Sequence, residues 1–152
     1  MLARLRFLLL FALIGCSGQP GEVPPLVVAD GQTERASFCD ALRVMRDKCV
    51  RCHADPPVNG APFALTDYAA TQEPAPSSKD PQRTRADRML AAVESDYMPY
   101  TALLLAPPVE PLTCAEKTTL LTWLRSGAEP PANGDTTCDG VVPRLLACKE
   151  AL

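Results

Sequence analysis

The chain has 152 residues, enough for one domain once a leader is removed. Its formal charge of −3 offers no broad basic face and argues against nucleic acid as a partner. Aromatic residues are few, and sixteen prolines call for long irregular connections.

Met1 to Cys16 reads as a secretory leader. Arg4 and Arg6 make a positive start, and Phe7 through Ile14 form an apolar run too short to span a bilayer. The run ends in Leu13-Ile14-Gly15-Cys16, which resembles the bacterial lipobox. That resemblance implies a signal peptide over residues 1–15, cleavage before Cys16 and lipid on its thiol. Several acyl chains on one residue would anchor the chain stably. The alternative is an ordinary cleavable signal with an incidental cysteine. Ser17, where an Asp would favour the inner membrane, points to the outer membrane and a periplasm-facing domain. Losing Arg4 and Arg6 moves the formal charge to near −5, which suits a protein partner with a basic docking patch. Residues 16–36, rich in Gly, Pro and small polar side chains, read as a lipidated tether. Leu26-Val27-Val28 could instead lie along the domain as a short strand.

The first helix is predicted from Phe38 to about Cys49. Ser37 caps it with Asp40 three positions on, and Phe38, Leu42, Met45 and Cys49 share one apolar face. It runs straight into Cys49-Val50-Arg51-Cys52-His53, a C-x-x-C-H sequence that holds the only histidine of the chain. This is the spacing of covalent c-type haem attachment. Two thiols add to the two vinyl groups, and the adjacent imidazole is held where it can ligate iron. Zinc would need further ligands at matching spacing, and a redox dithiol would want a βαβ setting. Neither is present.

At these residues the chain resembles the class I cytochrome c family, and more closely the short cytochrome c domains carried on bacterial lipoproteins. The resemblance implies an all-α fold, a small helical domain built around one covalent haem c with its iron, with long irregular loops. The domain would occupy residues 37–152, and the likeness itself covers about Ser37 to Ala128.

After Cys52 the residues Asp55-Pro56-Pro57 and Asn59-Gly60 demand a loop. Ala61-Pro62-Phe63-Ala64-Leu65 is similar to the family's G-P-x-L segment, which implies that the Pro62 carbonyl accepts a hydrogen bond from the other ring nitrogen of His53. Phe63 and Leu65 would line the haem pocket or serve as plain core. Thr66 and Asp67 start a short helical turn, and residues 71–80 read as a surface loop. Asp80-Pro81 starts a further helix to about Ser95, with Met89, Leu90 and Val93 turned inward.

Asp96-Tyr97-Met98-Pro99-Tyr100 is the second informative stretch and offers Met98 as a candidate sixth ligand, an open or water-bound site being the alternative. A thioether suits the sixth position of a haem iron and raises its potential, and no second histidine exists to compete. The resemblance places Met-Pro in a loop facing the histidine, so His53 and Met98 are the metal ligands implied. Met45 sits one turn before Cys49, and Met89 lies mid-helix. Leu103, Leu104 and Leu105 would keep water from the Met98 side.

Thr113-Cys114-Ala115-Glu116 is a full capping box for the last helix, which buries Leu120, Leu121 and Leu124 and ends near Gly127. The family's C-terminal helix crosses its N-terminal one. Trp123 is either core or a haem contact.

Apart from Cys16, Cys49 and Cys52, the cysteines are Cys39, Cys114, Cys138 and Cys148. An even number in an oxidising compartment suggests two disulfides with three possible connectivities. Cys39–Cys138 with Cys114–Cys148 is favoured, the second folding back a short helix over residues 141–149. The function implied is a monomeric, lipid-anchored, mono-haem carrier of single electrons for an unidentified redox protein, and not an enzyme. A haem sensor or ligand binder with an open sixth site is the alternative. A disulfide-stabilised binding lipoprotein without haem is a third.

Overall fold

Ser37 starts α1 (Phe38–Lys48) with a reciprocal cap: its side chain accepts from the Asp40 amide, and the Asp40 carboxylate accepts from the Ser37 amide. The same device opens α3 (Arg85–Glu94) from Thr84 with Asp87, and α4 (Cys114–Arg125) from Thr113 with Glu116. The short α2 (Tyr68–Gln72) is capped by Asp67. The computed structural model describes residues 35–148. Among them there is no sheet, and one isolated antiparallel bridge joins Pro74 to Thr84. The leader, Cys16 and residues 26–28 lie outside the described residues. No described helix is long and apolar enough to cross a membrane.

α4 is the central element, packing on both α1 and α3. Its Leu120, Leu121 and Trp123 are fully buried, as are Phe38, Leu42 and Met45 of α1. Burying each such side chain contributes roughly 1.5–3 kcal/mol. Phe38 stands between two aromatic rings, edge-on to Tyr68 at 5.2 Å and tilted against Trp123 at 5.6 Å. The indole N–H of Trp123 donates to the Glu129 carbonyl at 3.0 Å. Trp123 is therefore a core residue whose donor is already used. α4 ends in a Schellman turn. Gly127 (φ +93°) donates to the Leu124 carbonyl and Ala128 to that of Trp123.

Two readings of the sequence are corrected. α3 begins at Thr84, not at Asp80-Pro81. The Asp80 carboxylate accepts from the Gln82 amide in a turn, and the backbone of residues 73–75 pairs with that of 83–85 through Ala75 N–H to Arg83 O and Arg85 N–H to Glu73 O. Arg83 N–H closes that turn on the Asp80 carbonyl, and the pairing then carries the chain to the Thr84 box. The tail over residues 141–148 is not helical. Pro143 has no amide to give, and the next N–H groups go to side chains: Arg144 to Asp40 at 2.6 Å and Leu146 to Thr119 at 2.9 Å. Disulfides Cys39–Cys138 and Cys114–Cys148 hold the same tail to α1 and α4. This is the favoured pairing of the three.

Candidate functional site

The last turn of α1 does not stop at Lys48. Val50 donates to the Met45 carbonyl, and both Cys52 and His53 donate to that of Cys49. These turns gather Cys49, Cys52 and His53 on the lining of a cavity of about 480 Å³. Cys49 and Cys52 are the unpaired cysteines among the described residues, and both are half-buried. Burial above all, then the neighbouring Cys52 and Glu116, pushes the Cys49 thiol up to about 12. Such a thiol stays protonated at neutral pH, which makes it a poor partner in disulfide exchange. The Asn59 amide donates to the Cys52 sulfur at 3.7 Å.

The loop after His53 is set by Asn59 and Gly60, both at positive φ, with Ala61 N–H closing on the Val58 carbonyl. That is a type I′ turn, which Asn-Gly favours. The chain then returns alongside the histidine, and the Leu65 amide donates to the His53 carbonyl at 2.8 Å. His53 is buried, and its Nδ1 lies 2.8 Å from the Phe63 carbonyl oxygen. A carbonyl only accepts, so Nδ1 carries the proton and Nε2 is the nitrogen left for a ligand. The acceptor is Phe63, not Pro62. Pro62 lines the cavity without this bond, because the return of the chain at Leu65 sets the register one residue later. Burial pushes the imidazole below its ordinary range, and the bond to Phe63 works the other way.

Further lining comes from α3 and the loop behind it. Asp96 takes a positive φ of 56° just past the helix end, and Met98 N–H turns back to the Ala92 carbonyl at 3.1 Å. This brings Met98, half-buried, into the same cavity as His53. Two ion pairs tie this end of α3 to α4, Lys117 with Asp96 at 2.6 Å and Arg125 with Glu94 at 3.0 Å. Met45 lies wholly in the core, whereas Met89 shares the cavity wall with Met98. Phe63 and Leu65 are both core and lining. Of the three leucines expected to exclude water, Leu103 lines the cavity and Leu104 is 99 % exposed.

The charged side chains on the lining are Lys48, Arg51 and Arg88, all cationic in a chain that is acidic overall. Arg88 escaped the sequence reading, although it stands one turn before Ala92 on the face that also carries Met89 and Val93. Among the described residues, no three His, Cys, Asp or Glu side chains converge as a chelating set. The donor set is instead two thiols, an imidazole and two thioethers on one lining, among apolar side chains and three cations. That set fits haem c, which brings its own equatorial nitrogens, two vinyl groups and two carboxylates. The volume falls within the roughly 300–1,000 Å³ usual for cofactor sites. A second, more open cleft is lined by polar residues 77–80, 82, 83 and 87. Its carboxylates Asp80 and Asp87 are engaged in the turn and cap just described.

Comparison of the chain with protein-family models, with curated proteins and with solved structures gives no match.

Proposed function

We propose that the protein is a lipid-anchored, mono-haem c-type cytochrome of the class I kind that carries single electrons at the cell envelope. One observation supports this above the others. Cys49, Cys52 and His53 share one cavity with Met98, which follows 45 positions after His53 on another element. When bound, haem supplies an iron that alternates between ferrous and ferric, and no substrate bond is made or broken. Cys49 and Cys52 are the thiols for the two thioether links. His53 offers Nε2 from a ring whose orientation and tautomer are held by the Phe63 carbonyl. Met98 would offer a soft sulfur from the loop after α3. The apolar lining from Leu65, Val93, Leu103 and Leu120 would limit water around both. Cys16 would carry the lipid, placing the domain on the outer membrane facing the periplasm, where a redox protein is the partner.

The test is expression with a cytochrome maturation system, followed by intact mass and absorption spectra on one sample. A haem-sized mass increment, a sharp ferrous α-band and the weak methionine-to-iron band in the red are expected. Covalent haem without the methionine band would favour the open-site sensor. No added mass would end the cytochrome reading.

A further inference from the structure

We propose that Arg85, together with Arg88, positions His53 by clamping the Phe63 ring, and that the proline-rich loop 73–84 is the buttress for this clamp. The inference rests on the proposed function only in taking His53 as the ligand.

Phe63 links two structures. Its carbonyl accepts from His53 Nδ1, and its ring stands 5.2 Å from the imidazole. The face of the same ring is met by two guanidinium groups from α3, Arg85 at 5.3 Å and Arg88 at 5.9 Å from the ring centre. A guanidinium is attracted to the negative face of an aromatic ring, more strongly where water is excluded. The Arg85 Nε is buried with no hydrogen-bond partner among the described residues, so the ring is the compensation on offer.

Each guanidinium is fixed at its other side by residues 70–76. Arg85 pairs with Glu73 and donates to the Ala70 carbonyl, and Arg88 donates to the Pro76 carbonyl at 2.8 Å. The ends of the loop are closed on each other by the pairing of 73–75 with 83–85. Two like charges are thus held on one ring by a carboxylate, carbonyls and a closed loop. A chain lacking that loop would leave Phe63 free to shift, and with it the carbonyl that sets the imidazole.

The measurement is the exchange rate of the His53 Nδ1 proton by NMR in the isolated, disulfide-bonded protein, with intact mass on the same sample. Phe63→Leu keeps the backbone carbonyl and removes the ring. Arg85→Gln removes the cation, and Arg85→Lys restores it. Both F63L and R85Q should speed exchange of that proton about tenfold or more, with R85K recovering part of the loss, while the amides of Leu42 and Leu120 stay as protected as before. Unchanged exchange in F63L and R85Q would overturn the proposal. So would a matching loss of protection at Leu42 and Leu120, since both residues would then be ordinary supports of the core. Absence of haem mass from protein co-expressed with a cytochrome maturation system would refute the electron-carrier reading, and the same proton would still decide whether the clamp exists.

Discussion

Asp40 Oδ1 accepts the backbone N–H of Arg144 at 2.6 Å across 104 positions of the chain, while Oδ2 of the same carboxylate caps α1 through Ser37. One buried side chain, 3 % exposed, therefore both starts the first helix and fastens the tail. Asp40→Ala should cost about 2–4 kcal/mol, the sum of a lost cap and an amide left without its acceptor. Ser37→Ala should cost only about 1 kcal/mol. Urea midpoints of the two variants check this, and equal losses would mean the Arg144 bond contributes nothing.

The two disulfides close loops of unequal length, with separations of 99 and 34 residues. Each should contribute about 2–4 kcal/mol, and the chain-entropy model gives the longer loop an advantage of about 1 kcal/mol. Double serine variants of each pair, compared by denaturant unfolding, should rank Cys39–Cys138 as the more stabilising. The reverse order would point to strain or residual structure in the unfolded chain.

At Gly127 the backbone sits at φ +93°, and a Cβ there would meet nothing within 4 Å. Gly127→Ala thus tests backbone conformation alone. It should lower stability by about 1–2 kcal/mol through the left-handed strain of an L-residue. A loss of only a few tenths would show that the Schellman turn relaxes at little cost.

In the proposed cytochrome, His53→Ala should abolish the low-spin spectrum, because no second histidine can replace it. Met98→Ala should keep the covalent haem mass, lose the methionine band and lower the reduction potential. Met89→Ala, on the same wall, should keep the band. If M89A removes it and M98A does not, the axial assignment passes to Met89.

Much of this was legible in the sequence where one local rule acted without competition. The Ser37 and Thr113 boxes, the Asp67 cap, the Gly127 turn and the C-x-x-C-H stretch all depend on residues within a few positions of each other. The start of α3 was not, because Asp80-Pro81 and Thr84 with Asp87 are both good caps, and the choice is made by pairing between residues 73–75 and 83–85. The Phe63 acceptor differs from Pro62 by one residue of loop register, which the bond from Leu65 to His53 sets. The tail has an apolar pattern compatible with a helix, yet its amides find acceptors on Asp40 and Thr119, partners remote in sequence.

The ion pairs at the end of α3 give the cavity unequal walls. On the His53 side the ring and the loop beside it are held by uncharged hydrogen bonds, Nδ1 with the Phe63 carbonyl and the Leu65 amide with the His53 carbonyl. On the Met98 side it leans on Lys117–Asp96 and Arg125–Glu94, whose carboxylates are largely open to water. Such pairs are worth at most about 1 kcal/mol each and fade as ionic strength rises. Salinity in the surrounding medium therefore eases the sulfur-bearing side, while the hydrogen bonds that hold the imidazole carry no net charge to screen.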